Sequence, residues 1–237
     1  MTVLVLRPRH KVDASVAFFQ QQGIAALGWG LIETLPDDGG IRHARHQLAK
    51  VDDQHGIIVT STVAAHASAS FLAATLATVF AIGKSTAAVL DNLGIQAHTP
   101  EVETSEGMLA LIDSLALECQ HWFILKGVGG RDALATGLQQ RGNKVEELAV
   151  YQRHVMAKPY QTQPWQWSEI QCIVATSGAL IDAAFHHTPA SVLQSIPWAV
   201  VSERLAGHLE RRGVTDVRVC NGASDAALVA CIRNKME

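Results

Sequence analysis

Apolar residues come in short bursts along this chain, and their spacing alternates between two periods. Thr2–Leu6 is a β-branched run that predicts a buried strand. Val12, Val16 and Phe19 fall at helical spacing and predict a helix over Val12–Gln22 that stops at Gly23. Ile24–Leu35 returns to extended structure before Pro36, and Ile41–Val51 is again helical. The alternation continues with a strand at Gly56–Thr60, a helix from Ser61 to about Leu76, a strand at Val79–Ile82 and a helix at Ser85–Leu93 capped by Gly94. Met108–Leu117, opened by Ser105-Glu106-Gly107, and Arg131–Arg141, stopped by Gly142, predict helices either side of a strand at His121–Leu125. Val145–Arg153 is extended, and Ile170–Ala175, Trp198–Val201 and Val217–Cys220 repeat the strand pattern with helices between and after them. Strands alternating with helices imply a parallel sheet with right-handed crossovers. Pro159–Trp167, rich in Pro, Gln and aromatics, predicts a loop whose Trp165 and Trp167 cover an apolar edge.

The pattern also repeats itself. A shift of 119 residues lays Leu4-Val5-Leu6-Arg7 on Phe123-Ile124-Leu125-Lys126, Gln21-Gln22-Gly23 on Gln140-Arg141-Gly142, and Ser105–Leu109 on Ser224–Leu228. A shift of 116 lays Ile57-Ile58-Val59-Thr60-Ser61 on Ile173-Val174-Ala175-Thr176-Ser177. Each copy holds several strand–helix units, so the expectation is two similar α/β domains rather than a solenoid. The copies are out of order. The unit that opens the chain matches the one that closes the middle segment. Residues 1–34 are therefore expected to join 157–237 in a discontinuous domain, with 36–150 inserted. The crossings, near 32–36 and 150–156, would form a two-stranded linker. A gap between two such domains is a natural ligand site.

The length, 237 residues, suits two moderate domains, and 48% hydrophobic residues suffice for real cores. The net charge of −3 argues against a nucleic-acid partner held by bulk charge, although a small cationic cleft is compatible with it. Four cysteines form no CxxC pair and no zinc-site spacing, so they are expected to be reduced, mostly buried thiols in a cytoplasmic protein. The N-terminus resembles no signal peptide, and the apolar stretch Ala64–Ile82 carries His66, Ser68, Ser70 and Thr75, which reads as buried helix and strand rather than a membrane span.

Chemistry is expected beyond the carboxyl ends of the strands. Six such ends carry polar or flexible residues: Arg7-Pro8-Arg9, Thr60-Ser61-Thr62, Gly83-Lys84-Ser85-Thr86, Lys126-Gly127-Val128-Gly129-Gly130-Arg131, Thr176-Ser177-Gly178 and Ser202-Glu203-Arg204. Helix starts there offer free N–H groups to phosphate or carboxylate. Taken singly, each Ser or Thr is an ordinary helix cap. Arg7 and Lys126 stand apart, because they occupy equivalent strand ends in the two copies, where a plain fold needs no cation. Neither belongs to a core pattern, so both are expected to face one cleft and to be dispensable for folding. The glycine run Gly127–Gly130 fits neither common nucleotide fingerprint. His43, His46, His186 and His187 lack an acidic partner at ligand spacing, and no catalytic triad, HExxH or acid–base dyad is evident.

These pieces together carry a resemblance. VLVLRP, IIVTSTVAAH, FAIGKSTAAVLDNLG, TSEGMLALI, ILKGVGGRDALATGLQQRGNKVEELAVYQR, IVATSGALIDAAF and GASDAALVACI, in this order, resemble the uroporphyrinogen-III synthase family. The resemblance implies two flavodoxin-like α/β domains with parallel sheets joined by a two-stranded linker, in a cytoplasmic monomer. It implies hydroxymethylbilane, a linear tetrapyrrole with eight carboxylates, as substrate, and no cofactor, metal, nucleic acid or membrane. The family's linker tyrosine falls on Tyr151 and its arginine–proline on Arg7 and Pro8. Where the family commonly has arginine before the glycine run, this chain has Lys126, and Thr62-Val63-Ala64 departs from the pattern after the first Thr-Ser. The implied reaction loses the terminal hydroxyl as water, leaving an azafulvene. The substituted carbon of the last ring attacks it, and the spiro intermediate fragments and recloses with that ring inverted. Positioning must favour this strained closure. Tyr151 is the implied proton donor, and a free phenol is a poor acid at neutral pH, so its help is expected to be partial. Arg7, Thr60, Ser61, Thr62, Lys84, Ser85, Thr86, Lys126, Gly127, Gly129, Arg131, Thr176, Ser177, Gly178, Ser202 and Arg204 are the expected substrate contacts. The rival readings are a two-domain small-molecule binder without catalysis, which would usually be exported, and a nucleotide-sugar transferase, which would usually show a clear nucleotide site.

Overall fold

The computed structural model describes residues 1–117, 119–129 and 132–233. The strands are β1 (Thr2–Pro8), β2 (Ala25–Pro36), β3 (His55–Val59), β4 (Thr78–Ala81), β5 (His121–Gly127), β6 (Lys144–Gln161), β7 (Cys172–Ala175), β8 (Trp198–Val200) and β9 (Val217–Val219). The helices are α1 (Arg9–Gln21), α2 (Asp38–Leu48), α3 (Thr62–Leu72), α4 (Lys84–Asn92), α5 (Ser105–Ser114), α6 (Ala133–Gln140), α7 (Gly178–His187), α8 (Ala190–Gln194), α9 (Glu203–Glu210) and α10 (Asp225–Arg233). The chain divides into two compact units, Met1–Thr34 with His154–Glu237, and Leu35–Arg153. We call them unit 1 and unit 2.

In unit 1 the strand order is β2-β1-β7-β8-β9, and in unit 2 it is β6-β5-β3-β4. Every pairing within these two sets is parallel. The internal repeat is visible in the register itself. Leu4 lies opposite Leu27 and Ile173 in unit 1. Its counterpart Phe123 lies opposite Glu146 and Ile57 in unit 2. Ile173 then faces Trp198, as Ile57 faces Val79. Even the irregularity is copied. The β1–β2 register slips between Arg7 and Pro8, so that Pro8 meets Ile32, and the β5–β6 register slips between Lys126 and Gly127, so that Gly127 meets Tyr151. A bulge of this kind re-aims the side chains beyond it.

The strands of each unit are covered on both faces, which is why they read as unbroken apolar runs. In β1, Leu4 and Leu6 enter one core with Leu180 and Ile181 of α7 and Leu205 of α9, while Val3 and Val5 enter another with Val12, Val16 and Phe19 of α1 and Leu228 of α10. In unit 2, Ile57, Val59, Phe123 and Leu125 pack towards α2, α3 and α4, and Ile58, Phe80, Trp122 and Ile124 towards α5 and α6. Each fully buried aliphatic or aromatic side chain contributes roughly 1.5–3 kcal/mol. Gly23 and Gly142, one repeat apart, both take a left-handed backbone after their helices, at φ +77° and +83°. That conformation is nearly free for glycine and costly for other residues.

Some boundaries differ from the sequence expectation. Helix α3 ends at Leu72, not Leu76, because Thr75 turns the chain, its N–H donating to Leu72 O and its Oγ1 accepting from Ala77 N. Helix α5 starts and stops three residues early, since Thr104 caps it through Gly107 N and Ala116 goes left-handed at φ 46°. The stretch predicted as a loop from Pro159 is still β6 as far as Gln161. There the Arg9 guanidinium stacks on the Tyr160 ring at 3.5 Å, the Tyr160 hydroxyl donates to Asp13 at 2.9 Å, and Thr162 exchanges two hydrogen bonds with Gly28. Trp165 and Trp167 pack edge-on against Trp29 and cover the unit 1 core. All four cysteines are free thiols. Among the described residues no helix is long and apolar enough to cross a membrane.

Candidate active site

A cavity of about 410 Å³ opens in unit 2 at the carboxyl ends of β3, β4 and β5. Thr60, Ile82, Lys126, Gly127, Val128 and Gly129 line it from those strand ends, Glu103, Thr104 and Ser105 from the start of α5, and Glu147, Tyr151 and Arg153 from β6. In open α/β sheets this end collects ligands, because loops and helix N-termini converge there. A larger cavity, about 600 Å³, lies at the other end of β3 and β5 beside His55 and His121. It is remote from the converging helix starts, so we assign the chemistry to the smaller one.

Tyr151 is a buried side chain in the wall of the unit 2 cavity. It follows the β5–β6 bulge, and its backbone O accepts from Val128 N at 2.8 Å. Its ring lies flat on Gly127, where an added Cβ would come within 2.4 Å of a ring carbon. Glycine is therefore required at 127 for close approach rather than for backbone freedom. The Ser61 hydroxyl accepts from Ala64 N at 3.1 Å and donates to the Tyr151 hydroxyl at 3.2 Å. With its oxygen receiving that bond, the phenol has its own proton left to give. Arg153 stands over the same ring at 6.0 Å.

Three carboxylates shape the charge. Lys126 is largely buried, with Nζ on Glu147 at 2.5 Å and on Asp132 at 3.4 Å. Burial disfavours the ammonium, but Glu147 and then Asp132 outweigh it and hold the amine above the ordinary lysine range. Glu103 accepts from Lys84 N at 3.2 Å, and its carboxylate sits where a Cβ on Gly83 would be, 2.3 Å away. It thus occupies the anion position at the start of α4. The cavity combines a proton donor, a cation on a carboxylate tether and an arginine at the rim. Among the described residues no three His, Cys, Asp or Glu side chains converge as a metal site.

The structure gathers Thr60, Lys126, Gly127, Gly129 and Tyr151 in one cavity, with Ser61 behind the tyrosine. Thr62 is the first residue of α3 and Lys84 the first of α4, with Ser85 and Thr86 following. Thr86 is buried and Lys84 and Ser85 are exposed. Arg131 lies outside the described residues. Sequence reasoning missed Glu103, Glu147 and Arg153. For Arg153 the signal was present, two residues beyond Tyr151 on the same strand face. In unit 1, Ser177 caps α7 by accepting from Leu180 N at 3.4 Å, Gly178 begins that helix, Ser202 precedes α9 and Arg204 is exposed on it. His43, which has no acidic partner at ligand spacing along the sequence, is exposed and has Nε2 at 3.5 Å from Glu146 of β6.

Arg7 requires a correction. The expectation that it is a spare cation outside the core fails, because it is only 8% exposed and saturated by its own unit. Its Nε donates to Ser15 at 3.2 Å, NH1 to Thr176 at 3.1 Å, and NH2 to Ala223 O at 3.0 Å and to the Asp225 carboxylate. Ser15 donates in turn to Asp225 at 3.0 Å. Arg7 ties β1 to α1, β7 and α10, and so belongs to the framework of unit 1.

The family model described as uroporphyrinogen-III synthase matches residues 13–230. The chain belongs to the uroporphyrinogen-III synthase family. It is 28% identical to uroporphyrinogen-III synthase of Escherichia coli, covering 98% of this chain and all of that one. It is 29% identical to the Salmonella typhimurium protein of the same name, over 98% of this chain and all of that one. Among solved structures, uroporphyrinogen-III synthetase of Helicobacter pylori superposes with a TM-score of 0.60 at 15% identity, over 100% of this chain and 99% of that one. A mutant uroporphyrinogen III synthase of Thermus thermophilus superposes with a TM-score of 0.59 at 16% identity, each chain covered completely. At these identities the structural likeness speaks for the α/β fold with a mostly parallel sheet.

Proposed function

We propose that the chain cyclises hydroxymethylbilane to uroporphyrinogen III, with loss of water and inversion of the last ring. The observation that carries the reading at the site is the Tyr151 hydroxyl, turned by a bulge into a strand-end cavity and accepting from Ser61, which leaves its own proton free to donate. In this reading Tyr151 gives its proton to the departing hydroxyl, which leaves as water. The exocyclic hydroxymethyl carbon that loses the hydroxyl becomes the azafulvene electrophile, and the substituted carbon of the last pyrrole attacks it to give a spiro intermediate, which fragments and recloses through that ring's unsubstituted carbon. The proton that this unsubstituted carbon sheds as the last ring regains aromaticity returns to the phenolate. Arg153, Lys126 and the start of α5 hold substrate carboxylates with charge-assisted bonds. A tetrapyrrole with eight carboxylates is larger than this cavity, so part of it extends beyond unit 2's pocket. Thr60, Ser61 and the backbone at Gly127 and Gly129 line its seat.

We infer further that each unit is a flavodoxin-like domain. The strand order of unit 1, second-first-third-fourth-fifth by local appearance, supports this, and the shared register of unit 2 extends it. The crossings at Thr34/Leu35 and Arg153/His154 then serve as the two strands of a linker. The protein is proposed to act as a cytoplasmic monomer, which size-exclusion chromatography with light scattering tests.

The deciding experiment incubates purified protein with freshly made hydroxymethylbilane and separates the product isomers. The type III isomer is expected without added metal or cofactor. Type I alone, at the spontaneous rate, overturns the reading.

A further inference from the structure

We propose that Cys220 and Cys231 form an oxidisable dithiol, a modification site that closes to an intramolecular disulfide when the protein meets a low-molecular-weight disulfide. The site is built from two elements at the edge of unit 1. Cys220 directly follows β9, fixed by its N–H donating to Val200 O at 2.7 Å, and its side chain is 3% exposed. Cys231 projects from α10 and is half-buried. Both line the same small cavity, about 250 Å³, together with Arg218, Asn221 and Ala227. Cys172 of β7 lies in the same apolar core as Cys220. Burial first, then a hydrogen bond the Cys220 thiol donates to Cys231, and the nearby Cys172 all push the Cys220 thiol up.

This asymmetry assigns the order of events. Thiolates attack and thiols do not, so the exposed member reacts first. The Cys231 thiolate attacks one sulfur of the small disulfide. The S–S bond breaks, one small thiolate leaves, and Cys231 carries the other half as a mixed disulfide. Cys220 first gives up its proton to solvent, and its thiolate then attacks the Cys231 sulfur; the S–S bond of the mixed disulfide breaks and the second small thiolate departs, taking up a proton from solvent. The sum is two protein thiols converted to one disulfide, and one small disulfide reduced to two thiols. The closed loop is short, about twelve residues, and it anchors α10 to β9. The opposite end of α10 carries Asp225, the carboxylate that holds Arg7 and Ser15. The inference does not depend on the reaction proposed above.

The test treats the full-length protein with excess oxidised glutathione, then counts free thiols and maps peptides by mass spectrometry. The expected result is a fall from four free thiols to two, a Cys220–Cys231 cross-linked peptide, no retained glutathione, and full reversal by dithiothreitol. Cys231→Ser should abolish the loss of thiols. Cys220→Ser should stop at a stable glutathione adduct on Cys231, and Cys172→Ser should close as the wild type does. A stable adduct on the wild-type protein, a Cys172–Cys220 bond, or unchanged thiol loss in Cys231→Ser overturns the proposal. If the buried Cys220→Ser substitution prevents folding, the Cys231→Ser and wild-type arms still decide.

Discussion

At the bulge only one of the two copies carries a hydroxyl. Tyr151 and Ile32 occupy equivalent positions after the same register slip, and both are buried, but only the tyrosine presents a proton. Tyr151→Phe keeps the ring on Gly127 and removes that proton. We expect turnover to fall about tenfold to a hundredfold, at the low end for general acid catalysis, with the melting temperature unchanged. A rate equal to wild type removes Tyr151 from the chemistry. Gly127→Ala should impair the enzyme differently, since the new methyl collides with the ring it supports and moves the hydroxyl itself. Arg7 and Lys126 then diverge in spite of their matching places in the repeat. Arg7→Ala leaves Asp225 with Ser15 but without its cation at a mostly buried site, and should cost about 3 kcal/mol in urea unfolding, the low end for a broken buried pair. Lys126→Ala should unfold little and weaken substrate use about tenfold, measured as kcat/KM, which corresponds to ~1.4 kcal/mol. The sequence exposed the shared position of these cations but not their fates. What distinguishes them is that Arg7 bonds at once to α1, the end of β7 and α10, meeting Asp225 only when α10 docks, whereas Lys126 pairs with the more exposed carboxylates Glu147 and Asp132.

Among the elements, the strands were the most legible, because a doubly covered parallel strand must be apolar throughout and has few competing readings. Val3–Leu6, Ile57–Val59 and Phe123–Leu125 are all buried as their pattern requires. Helix ends were less legible, for they depend on side chains that reach back from elsewhere. Helix α5 is an example, since Thr104 and Gly107 start it three residues before the apolar run. Helix α4 is the clearest, since its N-terminus has no capping side chain of its own and takes Glu103 from the loop ahead of α5. A carboxylate at a helix start is stabilised by free N–H groups and by the dipole. Glu103→Ala should therefore destabilise unit 2 by roughly 1 kcal/mol, read from urea or thermal unfolding. It should also open an anion position beside the cavity, so added phosphate ought to restore part of the loss. Lack of any phosphate response sinks the idea that Glu103 occupies an anion site.

At the scale of the whole chain, the repeat governs which residues meet, and it also sets a weakness at the amino ends of the unit 2 strands. His55 and His121 are direct neighbours across β3 and β5, with ring centroids 5.5 Å apart, and Lys144 of β6 stands opposite His121 on its other side. Unit 1 has no such pair at the equivalent place, where the counterparts of His121 and Lys144 are Thr2 and Ala25. The His121 Nε2 is buried without a partner. Burial first, then the charges of Lys144 and His55, hold the His121 imidazole below the ordinary histidine range, against a smaller opposing pull from Glu146. A histidine depressed in the folded state binds its proton more readily once unfolded. Stability is then fully present above the ordinary histidine value and is lost as the pH falls from there through the lower folded value. Unfolding followed by a unit 2 tryptophan, Trp122, should accordingly show a midpoint that drops with mild acid. His121→Phe, which keeps a ring against Phe123 and cannot titrate, should flatten that drop. An equally steep dependence in the variant would place the acid sensitivity elsewhere in the molecule.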